Sequence, residues 1–178
     1  IGLSYLIAKD AISIYINPAN PVKDFTVDEL RKIFTCRINN WKELGGNDHI
    51  INLLIRNPNS GTYYYFQQIV LNGKPFCSAA TSESNINKLV ATIAKDKYAI
   101  GFGGIGFNEG IEHAKVNGVE PTEENVRKDL YPLSRYLHFI TLKQPEGVVR
   151  NFIDWTFSHY AQSLIKQSGY VPIWNITY

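Results

Sequence analysis

The sequence predicts an α/β layer fold, and three observations point to it. Short β-branched or aromatic runs of strand length recur at Ala11–Asn17, Ile51–Ile55, Ala99–Phe102 and Leu137–Leu142. Between them lie segments whose apolar residues return at helical spacing. The chain has 178 residues, 44% of them hydrophobic, enough for one good core or two small lobes. Strands alternating with helices are the signature of layered α/β architecture.

In chain order, Ala11–Asn17 (AISIYIN) is a buried strand closed by Pro18, and the loop Asn17–Pro21 is excluded from helix and central strand by its prolines. Thr26 opens a helix with a capping box, Thr26 reaching forward and Glu29 back, and Val27, Leu30, Ile33 and Phe34 form its apolar face. Asn39–Leu44 reads as a short helical turn stopped by Gly45-Gly46. A strand follows from Ile51 to Arg56. The turn Asn57-Pro58-Asn59 and the triplet Ser60-Gly61-Thr62 lead into a helix carrying Tyr65, Phe66, Ile69 and Val70, which ends near Asn72-Gly73.

From Ser84, the pattern Ile86, Leu89, Val90, Ile93, Ala94 is the cleanest amphipathic helix in the chain. Ala99–Phe102 is a short buried strand, and Gly103, Gly104 and Gly106 form a flexible connector. That connector is not a dinucleotide fingerprint, because no amphipathic helix or suitable acidic partner follows it. Thr122 caps a short helix to Asp129. Leu137–Leu142 is a strand, Gly147–Phe157 an amphipathic helix, and Ala161–Ser168 a last helix stopped by Gly169.

Composition narrows the function classes. A net charge of +2 without a basic run gives no basis for nucleic-acid binding. No apolar run approaches the roughly 20 residues that span a bilayer. No signal peptide is visible and methionine is absent, so Ile1 is expected to be a processed or truncated end. Cys36 and Cys77 lie in no Cys-x-x-Cys or metal-ligand pattern; two inert thiols are the default, with a disulfide the alternative if the protein is exported. His49, His113, His138 and His159 have no ligand spacing, and neither a metal nor a cofactor is expected.

The stretch Ile51–Val70 carries the chemistry. A strand that ends in Arg56 and turns through Ser60-Gly61-Thr62 into a helix start is suited to an anion. The first turn of a helix has unpaired N–H groups and a partial positive charge. Gly61 lets the main chain come close, Ser60 and Thr62 add hydroxyls, and Arg56 offers a fork for two oxygens. The plainer reading stands beside it: Ser60 as N-cap, Gly61 as turn residue, Arg56 as a solvated strand-end charge. No lysine follows Gly61, so this is not a Walker loop, and Gly-x-Ser-x-Gly is absent around Ser60.

The landmarks together resemble one family, the phosphate-binding proteins of bacterial ABC-type phosphate uptake systems. The resemblance rests on Ile7-Ala8-Lys9-Asp10, Asn17-Pro18-x-Asn20-Pro21-Val22, Leu30-x-x-Ile33-Phe34-Thr35 and Ile38-x-Asn40-Trp41-Lys42-Glu43. It continues through Arg56, Ser60-Gly61-Thr62 and Phe66, Ala99-Ile100-Gly101-Phe102, Gly118-Val119-x-Pro121-Thr122, Tyr131–Arg135 and Gly169–Pro172, covering nearly the whole chain. It implies a periplasmic-binding-protein-like α/β fold of type II, two lobes closing over one dehydrated phosphate that is handed to an ABC transporter membrane permease. It also implies a periplasmic or cell-surface location; a lipid anchor, where one exists, would lie outside the given chain. The family's phosphate ligands carry over to Arg56, Ser60, Gly61 and Thr62, with Ser60 and Thr62 donating through hydroxyl and backbone N–H and Gly61 from its backbone.

On that reading residues 1–10 form a hinge crossing, 11–133 one complete lobe with the anion loop, and 134–178 a return segment belonging to the other lobe. The family's N-terminal half-lobe, with the acidic acceptor that tells phosphate from sulfate, has no counterpart in the sequence. Phe152, Trp155 and Phe157 are therefore expected to be partly uncovered. Cys36 stands where the family usually has glycine. The alternatives are a binder of another oxyanion, such as sulfate or molybdate, and a hydrolase with Ser60 as nucleophile, for which no histidine motif supplies the base.

Overall fold

The computed structural model describes residues 2–176, so Ile1, the expected processed or truncated end, lies outside the described residues. One strand organises it. Strand β1, Leu3–Ile16, runs for 14 residues and begins well before the Ala11 start that the sequence suggests. Its C-terminal half pairs antiparallel with β5 (Ala99–Gly104), from Ile12↔Gly104 to Ile16↔Ile100, and with β6 (Glu112–Val116). Its N-terminal half pairs antiparallel with β7 (Ser134–Thr141), from Leu3↔Thr141 to Ala11↔Ser134, with an irregularity between Leu6 and Ala8. On the far side of β5, β3 (Asn52–Arg56) and then β4 (Thr81–Glu83) add in parallel, while β2 (Asp24–Phe25) pairs with β6. The sheet order is β2-β6-β1-β5-β3-β4, with β7 on β1.

The helices form where their start signals stand. Helix α1 (Val27–Phe34) has both halves of the Thr26/Glu29 capping box and buries Leu30, Ile33 and Phe34. Asn40 caps the 3₁₀ turn Trp41–Leu44, which ends at Gly45 with φ 78°. Helix α2 (Gly61–Ile69) is capped by Ser60; Phe66 and Val70 are fully buried, whereas Ile69 is 44% exposed. Asn85 caps α3 (Ile86–Lys95), which packs on β5 so closely that a Cβ on Gly101 would lie 3.0 Å from Ile93 Cδ1. Thr122 and Ser158 cap α4 (Glu123–Arg127) and α6 (His159–Gln167), and α5 (Gly147–Thr156) precedes α6. Gly169, with φ 82°, ends α6 as expected.

The core is aromatic where α1, α2 and β5 meet: Phe66 stacks on Phe102 at 4.0 Å and meets Phe34 edge-on at 4.7 Å. Burying such rings is worth about 1.5–3 kcal/mol each. The outer face of α5 is different. Phe152 and Trp155 remain 50% and 43% exposed and Phe157 is half-buried, as the sequence led us to expect.

Three expectations are corrected. Gly103 and Gly104 are not connector but the end of β5, where Gly103 makes room for the Tyr15 ring; a Cβ there would lie 2.5 Å from Tyr15 Oη. Strands β2, β4 and β6 add to the four that the sequence shows. Cys36 and Cys77 are not free thiols but a disulfide spanning a sequence separation of 41, with Cα atoms 5.3 Å apart. The bond follows from the turn after α1: Cys77 N–H donates to the Phe34 carbonyl at 2.8 Å, setting the two cysteines side by side. Cys36 has φ 59°, so the turn keeps the left-handed conformation that glycine adopts without cost.

Replacing both cysteines by alanine is expected to cost about 2–4 kcal/mol in urea unfolding under oxidising conditions. The combination Cys36→Gly with Cys77→Ala should recover about 1 kcal/mol of that loss, because glycine removes the Cβ penalty of positive φ. Equal midpoints for the two pairs would show that the turn carries no such strain.

Candidate functional site

Arg56 ends β3 and Gly104 ends β5, two parallel neighbours, so both residues sit at carboxyl ends of strands, where α/β sheets hold ligands. The loop after Arg56 is built by its own polar groups. Asn57 Oδ1 accepts from the Asn59 amide at 2.9 Å and the Asn57 carbonyl accepts from the Ser60 amide at 2.9 Å. Ser60 Oγ then accepts from the Thr62 amide at 3.2 Å, starting α2. These bonds change one detail of the sequence expectation. The Ser60 and Thr62 amides are occupied, which leaves the hydroxyls of those residues and the Gly61 amide, which has no intrahelical acceptor at the first helical position. A Cβ on Gly61 would meet nothing within 4 Å, so the backbone there faces open space.

Arg56 stands between two hollows. The smaller, about 280 Å³, is lined by Arg56, Asn57, Asn59, Ser60 and Ser84. The larger, about 400 Å³, brings Arg56 and Thr62 together with Asp10, Gly104, Gly106, Phe107, Arg135 and the segment Gln167–Tyr170. A still larger hollow of about 610 Å³ beside α3 is lined by Lys95 and Glu109 among mostly apolar and amide side chains, so its charges offset each other. The arginine hollows therefore have the better chemistry for an anion.

The state of Arg56 is distinctive. Its Nε is buried without a hydrogen-bond partner among the described residues. Its register partner Glu83 is buried, but that carboxylate pairs with Lys88 Nζ at 3.1 Å. A buried donor left unsatisfied costs about 1–3 kcal/mol. Arg56 lines both hollows, so an acceptor in either meets an arginine in its wall.

The other walls are fixed by β1. Tyr15, fully buried, donates its hydroxyl to the Gly104 carbonyl. Burial pushes the Tyr15 phenol well above its ordinary range, with Arg56 pulling it down and Asp10 pushing it up, so it stays protonated. His113 Nδ1 is 2.7 Å from Ser13 Oγ, and its Nε2 is 2.7 Å from the Phe107 carbonyl. A carbonyl can only accept, so Nε2 carries the proton and Ser13 donates to Nδ1. Asp10 and Arg135, register partners on β1 and β7, form an ion pair facing the larger hollow. Sequence reading places Asp10 and Arg135 at the crossings but does not bring them into the site. Their long-range pairing leaves no local signal.

A family model described as the PBP superfamily domain matches residues 3–159. The chain belongs to this superfamily. Among curated relatives of this PBP-superfamily chain, the phosphate-binding protein PstS of Bacillus subtilis (strain 168) is 33% identical over 174 residues, covering 96% of this chain and 58% of that protein. The PstS of Borreliella burgdorferi is 27% identical, covering 93% of this chain and 64% of that protein. The chain thus spans about 58–64% of these relatives' length. Among solved structures, an ABC-type phosphate transport receptor from Vibrio cholerae superposes with a TM-score of 0.88 at 27% identity, over 96% of this chain and 72% of that one. A putative phosphate ABC transporter substrate-binding protein from Clostridium perfringens, with bound phosphate, gives 0.81 at 30% identity, over 97% and 72%. The fold is accordingly that of the type II periplasmic phosphate-binding proteins.

One pH dependence follows from His113, which lines a neighbouring hollow and holds the Phe107 carbonyl. Burial lowers the His113 pKa, outweighing the upward pull of the Phe107 carbonyl. The unfolded chain, with a pKa of about 6.5, therefore takes up the proton first as pH falls. The contribution is present above about pH 6.5 and is lost on the way down through the folded pKa. Urea unfolding at about pH 7.5 and about pH 5.5 should show the wild type losing more stability on acidification than His113→Gln. Equal losses would contradict the assignment.

Proposed function

We propose that the protein binds inorganic phosphate as the extracytoplasmic solute-binding component of an ABC-type importer, with Arg56, Ser60, Gly61 and Thr62 as ligands. The observation that carries this is the buried Nε of Arg56, without a hydrogen-bond partner among the described residues, at a strand end that opens into a capped helix start. A guanidinium fork matches two oxygens of a tetrahedral anion, and the helix N-terminus adds donors and a favourable partial charge. Support also comes from relatives that are named phosphate-binding proteins and from a similar solved structure that holds phosphate.

Residues 11–133 are then the lobe that carries the anion loop, residues 1–10 the crossing, and 134–178 the return into the other lobe. A membrane permease is the receiving partner. The Cys36–Cys77 bond favours an oxidising compartment, which agrees with a periplasmic or cell-surface location. Among the described residues no helix is long and apolar enough to cross a membrane. Hydrolysis at Ser60 lacks support: the Ser60 oxygen accepts the Thr62 amide, and the Ser–His contacts of the described residues are Ser4–His138 and Ser13–His113.

Calorimetric titration with phosphate should show Arg56→Ala weakening binding by about 2–5 kcal/mol, the loss expected when one partner of a desolvated charge-assisted pair is removed. Sulfate titrated in parallel separates a phosphate site from a general oxyanion site. Unchanged phosphate affinity in Arg56→Ala would overturn the ligand assignment.

A further inference from the structure

The larger hollow beside Arg56 has a second guanidinium in its wall, and this one is built to stay there. Arg135 Nε donates to Asp10 Oδ2 at 2.7 Å, and Nη2 donates to the same oxygen. Asp10 Oδ1 accepts the Ala11 amide at 2.7 Å, so both carboxylate oxygens are engaged. The Asp10 side chain is only 4% exposed, whereas that of Arg135 is 22% exposed, so the cation is the partner that reaches solvent. On its other side Arg135 lies over the Tyr65 ring, 5.6 Å from the centroid, and the Tyr65 hydroxyl donates to the Ser134 carbonyl at 2.5 Å. Tyr65 belongs to α2, the helix that begins at Gly61.

We propose that Arg135 is a second guanidinium contacting the anion, oriented for that contact by Asp10 and Tyr65. The inference rests on the oxyanion reading of the site and adds a ligand to it. Arginine has five N–H donors. Asp10 takes one from Nε and one from Nη2, and no other acceptor among the described residues engages the rest. The side chain lines the same hollow as Arg56 and Thr62. An oxygen acceptor in that hollow meets donors from two sides, Arg56 at the end of β3 and Arg135 at the start of β7. Fixing a flexible cation beforehand lowers the ordering cost of binding. Asp10 supplies this fixation by ion pairing and Tyr65 by cation–π contact.

The test uses the full-length protein with uniform nitrogen-15 labelling and inorganic phosphate as the probe. Arginine Nε–H resonances are assigned with Arg56→Lys and Arg135→Lys. Both the Arg56 and the Arg135 signals are expected to move on saturation with phosphate. The double variant Asp10→Asn with Arg135→Gln removes the pair without leaving a buried charge unpaired, and its circular dichroism shows whether it folds. A folded double variant is expected to bind phosphate at least about tenfold more weakly than wild type. Movement of the Arg56 signal alone, or double-variant affinity within about twofold of wild type, would overturn the role of Arg135 while leaving the phosphate site standing. Movement of neither signal, with no heat of binding in the wild type, would overturn the phosphate reading itself and this inference with it.

Discussion

Every backbone N–H and C=O of a long buried strand needs a partner, and β1 meets that requirement with different neighbours along its length. From Ile12 onward β5 pairs with it, joined by β6 on the other side from Ile14, and from Leu3 to Ala11 β7 does. The handover between them comes at Asp10–Ile12. There the end of β5 and the start of β7 must lie close together, because each pairs with adjacent residues of one continuous strand. Gly104 and Arg135 are brought to one place by hydrogen-bond accounting before any ligand is considered. Because β3 runs parallel to β5, Arg56 arrives at the same end. The hollow is thus a product of strand pairing, and the polar side chains around it occupy positions that the sheet had already fixed.

The second layer of control is aromatic and covalent. Phe34, Phe66, Phe76 and Phe102 lock α1, α2 and β5 to each other, which sets the direction in which the start of α2 points. The disulfide ties the turn after α1 to the segment that leaves α2. The disulfide lies beyond the far end of α2, while the aromatic contacts run along the helix from Tyr63 to Phe66, so the body of the helix is held and its capped start keeps a fixed direction.

Local chemistry was legible in the sequence and long-range pairing was not. Thr26 with Glu29, Ser60 and Thr122 each cap the helix they precede, because a cap is a contact between residues two or three positions apart. Strands β4 (TSE) and β6 (EHAKV) escaped because they are short and polar and exist through pairing with β3 and β1. The same reason hid the bond between Cys36 and Cys77 and the register pair Asp10–Arg135. Gly103 was misread because glycine usually interrupts a strand; here it makes room for Tyr15, a partner on the neighbouring strand. In the candidate site, Arg56, Ser60 and Thr62 come from one contiguous stretch. Asp10 and Arg135 came into it only through the topology.

The structural and functional readings of Ser60 turn out to be compatible. A hydroxyl has two acceptor lone pairs and one proton. The cap uses an acceptor position, since Ser60 Oγ receives the Thr62 amide. The proton remains free to donate, and Ser60 lines the smaller hollow beside Arg56. Capping also fixes the side chain, so the hydroxyl does not have to be ordered when an anion arrives. The same logic covers Asp10, which stabilises the strand junction while it orients a cation. At this site the groups that hold the fold together are the ones that set donor directions, and the cost of arranging them is met during folding. What is left for the ligand includes Arg56 Nε, a buried donor without a partner among the described residues.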